Sequence, residues 1–326
     1  MKSLQVITLG CSKNTVDTEH LLSQVKGSWE ILPEEESRPV DVLLINTCGF
    51  IGDAKEESIQ AILAAAARKK AGEVGRIIVF GCLSQRYMSQ MPDLIPEVDY
   101  WFGARDLDPV VKALGCVPVR NPSRLRTDHH AYAYLKISEG CDRRCSYCAI
   151  PSIRGAHRSV PMEAIVAEAE SLAKEGVKEL ILIAQDTTYY GLDLYRRRAL
   201  AELIRRLSAV SGIEWIRIHY SYPADFPEDV LVEMAENPKV CKYLDIPLQH
   251  CNDKILKKMN RRGDKKYLCA LLDKLRERIP GLVLRTSIIA GLPGEGEEEF
   301  DELCDFLREQ KLLRAGVFPY SPEEGT

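Results

Sequence analysis

Apolar positions along the first third of the chain gather into short, nearly continuous runs. Leu4-Gln-Val-Ile-Thr-Leu-Gly10, Asp41-Val-Leu-Leu-Ile-Asn46 and Arg76-Ile-Ile-Val-Phe80 each read as a strand covered on both faces, where alternation is lost. Between them the period lengthens. A helix is expected from Asn14-Thr15 with Val16, Leu21, Leu22 and Val25 inward, and an Ala-rich helix from about Asp53 to Ala71. Val98 to Phe102 reads as a further strand and Asp108 to Leu114 as a closing helix. Strand and helix in alternation predict an α/β fold, with an N-terminal doubly wound (flavodoxin-like) parallel sheet over residues 1–117.

Residues 118–130 are polar, carry Pro118, Pro122 and several arginines, and have no period, so they read as an interdomain linker. Alternation resumes over 131–326. Strands are expected at 131–138, 179–184, 215–220, 243–248, 282–289 and 317–320. Helices are expected at 162–174, 194–207, 227–235, 254–259, 265–278 and 297–309. Six βα units predict a partial (βα)6 barrel, whose chemistry should lie at the carboxyl ends of its strands.

Those ends carry cysteine. In the first domain three strands end on Gly10-Cys11, Thr47-Cys48-Gly49 and Gly81-Cys82. Parallel strands place their carboxyl ends on one edge, so Cys11, Cys48 and Cys82 should converge there. A lone cysteine is more often a small buried hydrophobe, but three at the equivalent turn, each beside a glycine, favour a metal site. In the second domain the first strand runs into Gly140-Cys141-Asp-Arg-Arg-Cys145-Ser-Tyr147-Cys148. Two arginines in this loop favour thiolates. A closed zinc or iron–sulfur site wants four ligands, so a set of three leaves one metal position open. A zinc knuckle borrowing a distant His or Cys is the plainer alternative. Of the other five cysteines, Cys269 and Cys304 lie in helical patterns, and Cys251 lies near the expected active edge.

Composition sets the outer limits. A chain of 326 residues, 45% hydrophobic and 28% charged, suits about two globular domains. Its net charge of −4 argues against tight, charge-driven nucleic-acid binding. No apolar run reaches the roughly 18 residues of a membrane span, and the N-terminus lacks a signal-peptide layout. Eleven cysteines without such a signal read as thiols and metal ligands, and the expected location is the cytoplasm with no membrane partner.

The loop Cys141-x3-Cys145-x-Tyr147-Cys148 resembles the cluster loop of radical S-adenosylmethionine (SAM) enzymes. Gly10-Cys11-Ser-Lys-Asn14, with Asp17 and Glu19, Asn46-Thr-Cys48-Gly-Phe-Ile51 and Gly81-Cys82-Leu83 resemble the three cysteine motifs of the methylthiotransferases within that class. They look most like the branch that modifies an aspartate of the twelfth small-subunit ribosomal protein. The resemblance implies two [4Fe-4S] clusters, one on Cys11, Cys48 and Cys82 and one on the catalytic Cys141, Cys145 and Cys148, with SAM chelated at the open iron of the second. It implies that reductive cleavage of SAM gives a radical that takes hydrogen from the aspartate β-carbon. A sulfur species held at the first cluster is then methylated and transferred. A reductant such as a flavodoxin-type electron donor is an implied partner.

Tyr147, Gly291 and Glu295 match positions that contact SAM in the family, the last two in Gly291-Leu-Pro-Gly-Glu295. Arg154 is expected to pair with a carboxylate of SAM or of the substrate, or to lie in a surface ion pair. Where many radical-SAM enzymes have Gly-Gly-Glu, this chain has Gln185-Asp186, either of which could substitute. Family chains usually continue into a small β-rich TRAM domain, which the resemblance implies is absent here. Alternatives are the same chemistry on a tRNA adenosine, a two-cluster electron-transfer protein and a structural zinc protein.

Overall fold

The computed structural model describes residues 1–120 and 122–326. The chain forms two compact units. The first takes Met1–His129, Ser152–Gly155 and Gly325; the second takes His130–Pro151, Ala156–Glu324 and Thr326.

The first unit is built on strands β1 (Lys2–Thr8), β2 (Trp29–Leu32), β3 (Val40–Thr47), β4 (Val74–Gly81) and β5 (Tyr100–Trp101). They form one parallel sheet in the order β2-β1-β3-β4-β5, the flavodoxin-like arrangement. Both faces of β3 are covered, which is why its sequence is apolar at successive positions. Val42 and Leu44 pack with Leu21, Leu22 and Val110 on one face, and Leu43 and Ile45 pack with Ile62 and Ala65 on the other. The short edge strand β2 escapes sequence reading because four residues carry too little pattern. The strand read at 98–102 contracts to Tyr100–Trp101.

Residues 118–129, read as a linker, lie with the first unit, apart from Asn121, which is outside the described residues. The physical reason is Glu19. Its main-chain carbonyl accepts from Leu125 N (3.1 Å), and its carboxylate accepts from Arg124 Nε (2.6 Å) and Thr127 N (2.9 Å).

The second unit carries β6 (Tyr132–Lys136), a short antiparallel pair β7 (Ser138–Glu139) and β8 (Arg158–Ser159), then β9 (Glu179–Ile183), β10 (Trp215–Ile218), β11 (Val240–Asp245), β12 (Val283–Ala290) and β13 (Arg314–Pro319). Six of these form a parallel sheet in the order β13-β12-β11-β10-β9-β6, with β6 and β13 at its two ends. It is a partial barrel of six parallel strands, of which β6, β9, β10, β11 and β12 are each followed by at least one helix. Helices Met162–Lys174, Leu200–Ser208, Glu228–Glu236 and Lys265–Arg278 bury Leu172, Leu203, Met234 and Leu272 in its main core. The helix expected from 194 begins at Leu200, because residues 190–199 form a turn closed by Ala199 N donating to Tyr190 O (2.9 Å).

Candidate functional site

The sheet order puts β1, β3 and β4 side by side, so the turns bearing Cys11, Cys48 and Cys82 leave neighbouring strands, about 10 Å from first to last. Glycines let these turns touch. A Cβ on Gly10 would lie 2.7 Å from Cys48 Cβ and 3.0 Å from its Sγ. A Cβ on Gly49 would lie 2.7 Å from the Leu83 backbone. Gly49→Ala is therefore expected to destabilise the first unit by about 1–3 kcal/mol, the usual range for overpacking. Urea unfolding followed by Trp29 and Trp101 fluorescence would measure it.

Asn14 ties the turns together. Its Nδ2 donates to Leu9 O (2.8 Å) and Thr47 O (3.2 Å), while Asn46 Nδ2 donates to Asn14 O (2.9 Å). Ser58 Oγ accepts from Cys48 N (3.0 Å) and donates to Cys48 O (2.9 Å). Arg154, buried and grouped with this unit, donates from Nε to Cys82 Sγ (3.2 Å), from Nη1 to Asp17 Oδ2 (2.8 Å) and from Nη2 to Asn14 Oδ1 (2.5 Å). Burial pushes the Cys48 thiol up, and pushes Cys82 up to about 11, with the Arg154 cation opposing it. The Cys11 thiol adds to the rise at Cys48, and the Cys48 and Cys11 thiols add to it at Cys82.

The second set follows β7. The Glu139 carboxylate accepts from Lys136 Nζ (2.9 Å), Gln185 Nε2 (2.6 Å) and Gly140 N (3.2 Å), fixing the start of the cysteine loop. The loop's far side is held by Ser146 N donating to Met259 O (3.0 Å) and Asn260 Nδ2 donating to Arg144 O (2.6 Å). Burial pushes Cys141 up to about 12 and Cys148 up to about 11, and the neighbouring thiols of the set add to both.

Two arginines frame this loop. Arg143 lies over the rings of Tyr222 (4.0 Å) and Tyr189 (5.1 Å), donates from Nε to Asp186 Oδ2 (3.0 Å), and has its buried Nη2 without a partner. Arg261 donates to Pro247 O (2.6 Å) and Tyr147 Oη (3.2 Å) and reaches Cys145 Sγ at 3.9 Å. Each thiol set thus has one buried arginine directed at a sulfur.

The residues expected to contact SAM are all placed in definite surroundings. Tyr147 packs against Ile255, Met259 and Leu292. Asp186 is occupied: Oδ1 accepts from Thr188 N (3.0 Å) and Thr188 Oγ1 (2.6 Å), and Oδ2 holds Arg143. Gln185 is not. Its Nε2 is used by Glu139, and its buried Oε1 has no partner. Glu295 closes its own loop, accepting from Gly291 N (2.7 Å) and Leu292 N (3.0 Å). Asn252 N donates to His250 Nδ1 (3.0 Å), so the neutral ring carries its proton on Nε2, which faces Glu295 Oε1 at 3.6 Å. Arg154, expected at a SAM or substrate carboxylate or on the surface, is instead committed to Asp17, Asn14 and Cys82. Cys251 is fully buried in the main core of the second unit.

Sequence reading marked Arg143 only as one of two loop arginines that favour thiolates, without its place between Asp186 and two tyrosine rings, and missed Arg261. Arg261-Arg262 carries no signal and looks like a solvated pair. Among the described residues, no three His, Cys, Asp or Glu side chains close on a single metal ion. Three thiols on neighbouring glycine-bearing turns in the first unit, three on one short loop in the second, a buried arginine donor at each set, and unpartnered Gln185 Oε1 and Arg143 Nη2 beside the second set suit iron–sulfur clusters and a polar organic cofactor.

Residues 135–307, more than half of the chain, match the model described as the radical SAM superfamily, and residues 3–103 match the one described as uncharacterized protein family UPF0004. The chain belongs to the radical-SAM superfamily, in which SAM and a [4Fe-4S] cluster are the working cofactors. Within it, the chain belongs to the family of the ribosomal protein uS12 methylthiotransferase RimO. It is 51% identical over 327 residues to the protein of that name from Flavobacterium johnsoniae, and 49% identical over 327 residues to the one from Porphyromonas gingivalis. Both alignments span 99% of this chain and 75% of the relative. The chain is accordingly a transferase, and no helix among its described residues is long and apolar enough to cross a membrane.

Solved structures share the fold at low identity. The radical SAM methyltransferase TsrM from Kitasatospora setae, with cobalamin and a [4Fe-4S] cluster bound, aligns with a TM-score of 0.69 at 14% identity over 99% of this chain and 77% of that one. The cobalamin-dependent radical enzyme OxsB aligns with a TM-score of 0.69 at 12% identity, over 98% of this chain and 53% of that one.

Proposed function

We propose that this chain installs a methylthio group on the β-carbon of an aspartate in ribosomal protein uS12, using two [4Fe-4S] clusters. Cys11, Cys48 and Cys82 would hold one cluster; Cys141, Cys145 and Cys148 would hold the other and present SAM. The observation that carries this reading is the pair of separate three-thiol sets, each at the carboxyl side of a parallel sheet and each with a buried arginine directed at one sulfur. The names of the relatives support the ribosomal substrate. When bound, the reduced cluster and SAM supply a carbon radical able to take hydrogen from an unactivated C–H bond, which acid–base chemistry cannot do.

The chain's own residues bind and orient. Gln185 Oε1, buried and unpartnered, suits the ammonium group of SAM, and Arg143 Nη2 suits its carboxylate. Asp186 does not reach for SAM in this reading but orients Arg143, with Tyr222 and Tyr189 holding the guanidinium plane. Glu295 and His250 shape the Gly291 loop, so that its backbone can border the cofactor.

The test is reconstituted enzyme with SAM and reductant, offered uS12 and tRNA in separate reactions. Methylthio incorporation into uS12 supports the proposal, and incorporation into tRNA alone overturns its substrate. Gln185→Ala is expected to weaken SAM binding about tenfold or more, as for loss of a hydrogen bond to a charged group. Equilibrium binding of SAM measures this, and unchanged affinity would remove Gln185 from the site.

A further inference from the structure

Arg154 follows the second cysteine loop in sequence, yet Cys82, Asp17 and Asn14, to which its guanidinium donates, all belong to the first unit. It is only 4% exposed, and Asp17 only 6%. The guanidinium presents Nε, Nη1 and Nη2 to Cys82 Sγ, Asp17 Oδ2 and Asn14 Oδ1. Its backbone is held as well, since Arg105 Nε donates to Ile153 O (3.0 Å) and a second Arg105 nitrogen donates to Ser152 O. A surface arginine would lose about 2 kcal/mol of rotamer freedom in such an arrangement, so the arrangement implies a fixed task.

The acceptor for Nε defines that task. A neutral thiol is a weak acceptor, whereas a thiolate ligating a metal is a strong one. A buried N–H donor held on a sulfur by an ion pair behind it is therefore matched to Cys82 as a ligand. Hydrogen bonds to ligand sulfurs and local charge are main determinants of the reduction potential of an iron–sulfur cluster. Asp17 balances much of the guanidinium charge, so the Nε–H bond itself is the directed part. Cys48 receives a hydrogen bond from the neutral backbone of Phe50, so the charge-assisted bond falls on one side of the set.

We propose that Arg154 is a positioning residue for the cluster on Cys11, Cys48 and Cys82, donating from Nε to the Cys82 sulfur and thereby raising that cluster's reduction potential. Asp17 and Asn14 hold it in place. This inference rests on the two-cluster reading above.

The experiment uses the full chain carrying Cys141→Ala/Cys145→Ala/Cys148→Ala, so that only the first set can load. Arg154, Arg154→Lys and Arg154→Gln forms are reconstituted anaerobically and compared by iron and labile sulfide per chain, circular dichroism and spectroscopic redox titration. The expected result is a shift of the Arg154→Gln cluster to lower potential by at least a tenfold change in the one-electron equilibrium, about 59 mV, with Arg154→Lys intermediate. A folded Arg154→Gln chain that loads no iron while Arg154→Lys loads also supports the inference. Loaded clusters at the parent's potential in both variants would overturn it, as would loss of native circular dichroism in both apo variants, which would make Arg154 a folding residue. If the Arg154 parent itself loads no iron, the two-cluster reading falls and takes this inference with it.

Discussion

Anaerobic reconstitution is expected to load about eight irons and about eight sulfides per chain, and either triple cysteine variant about four of each. The expectation follows from how the two sets are built. Cys11, Cys48 and Cys82 depend on β1, β3 and β4, on Asn14 and on glycines at their turns. Cys141, Cys145 and Cys148 depend on Glu139, Lys136 and the turn near Met259. The thiols that perturb Cys48 and Cys82 all belong to the first set, and those that perturb Cys141 and Cys148 all belong to the second. Removing one set should therefore leave the other intact.

Activity divides differently from iron. Cys141→Ala/Cys145→Ala/Cys148→Ala should abolish reductive cleavage of SAM, measured as 5′-deoxyadenosine released. Cys11→Ala/Cys48→Ala/Cys82→Ala should keep that cleavage and lose methylthio transfer. Unchanged iron in the latter variant would sink the two-cluster reading and leave a single-cluster radical-SAM enzyme.

The thiol positions were legible in the sequence because each is punctuated locally. An apolar run ends on Gly-Cys or Cys-Gly, and a parallel sheet carries such ends to one edge whatever the helices do. The partners of those thiols were not legible, since they come from long side chains whose destination is set by tertiary packing. Arg154 and Cys82 are 72 residues apart, and Arg261 and Cys145 are 116 apart. Asn14 and Asp17 could be matched to a motif but given no task until Arg154 was seen between them. The choice between Gln185 and Asp186 was open for the same reason. Only the hydrogen bonds show that Asp186 is occupied by Thr188 and Arg143 while Gln185 keeps an unused acceptor. Residues 118–130 looked like a linker because Arg124 and Thr127 find their partner in Glu19, more than a hundred positions away.

That last contact gives the largest stability effect expected of a single substitution. Glu19 is 1% exposed, and its carboxylate accepts from Arg124 Nε, Thr127 N and Thr127 Oγ1. Glu19→Ala would leave the Arg124 cation, 4% exposed at its side chain, inside the first unit without this counter-charge. Removing one partner of a buried pair destabilises by about 3–5 kcal/mol, a large share of the roughly 5–15 kcal/mol that holds a typical domain. The first unit should therefore unfold at clearly lower urea concentration, read by Trp29 and Trp101, while Trp215 in the second unit reports the other transition. The paired change Glu19→Leu/Arg124→Met separates charge from packing. Apolar replacement of a whole buried pair is often neutral or stabilising, so the double variant should recover most of the loss. If Glu19→Ala costs less than about 1 kcal/mol, the range of an exposed pair, Glu19 is not what holds residues 124–127 to the helix Ser12–Val25. If instead the double variant is no better than Glu19→Ala, the hydrogen bonds to Thr127 outweigh the ion pair.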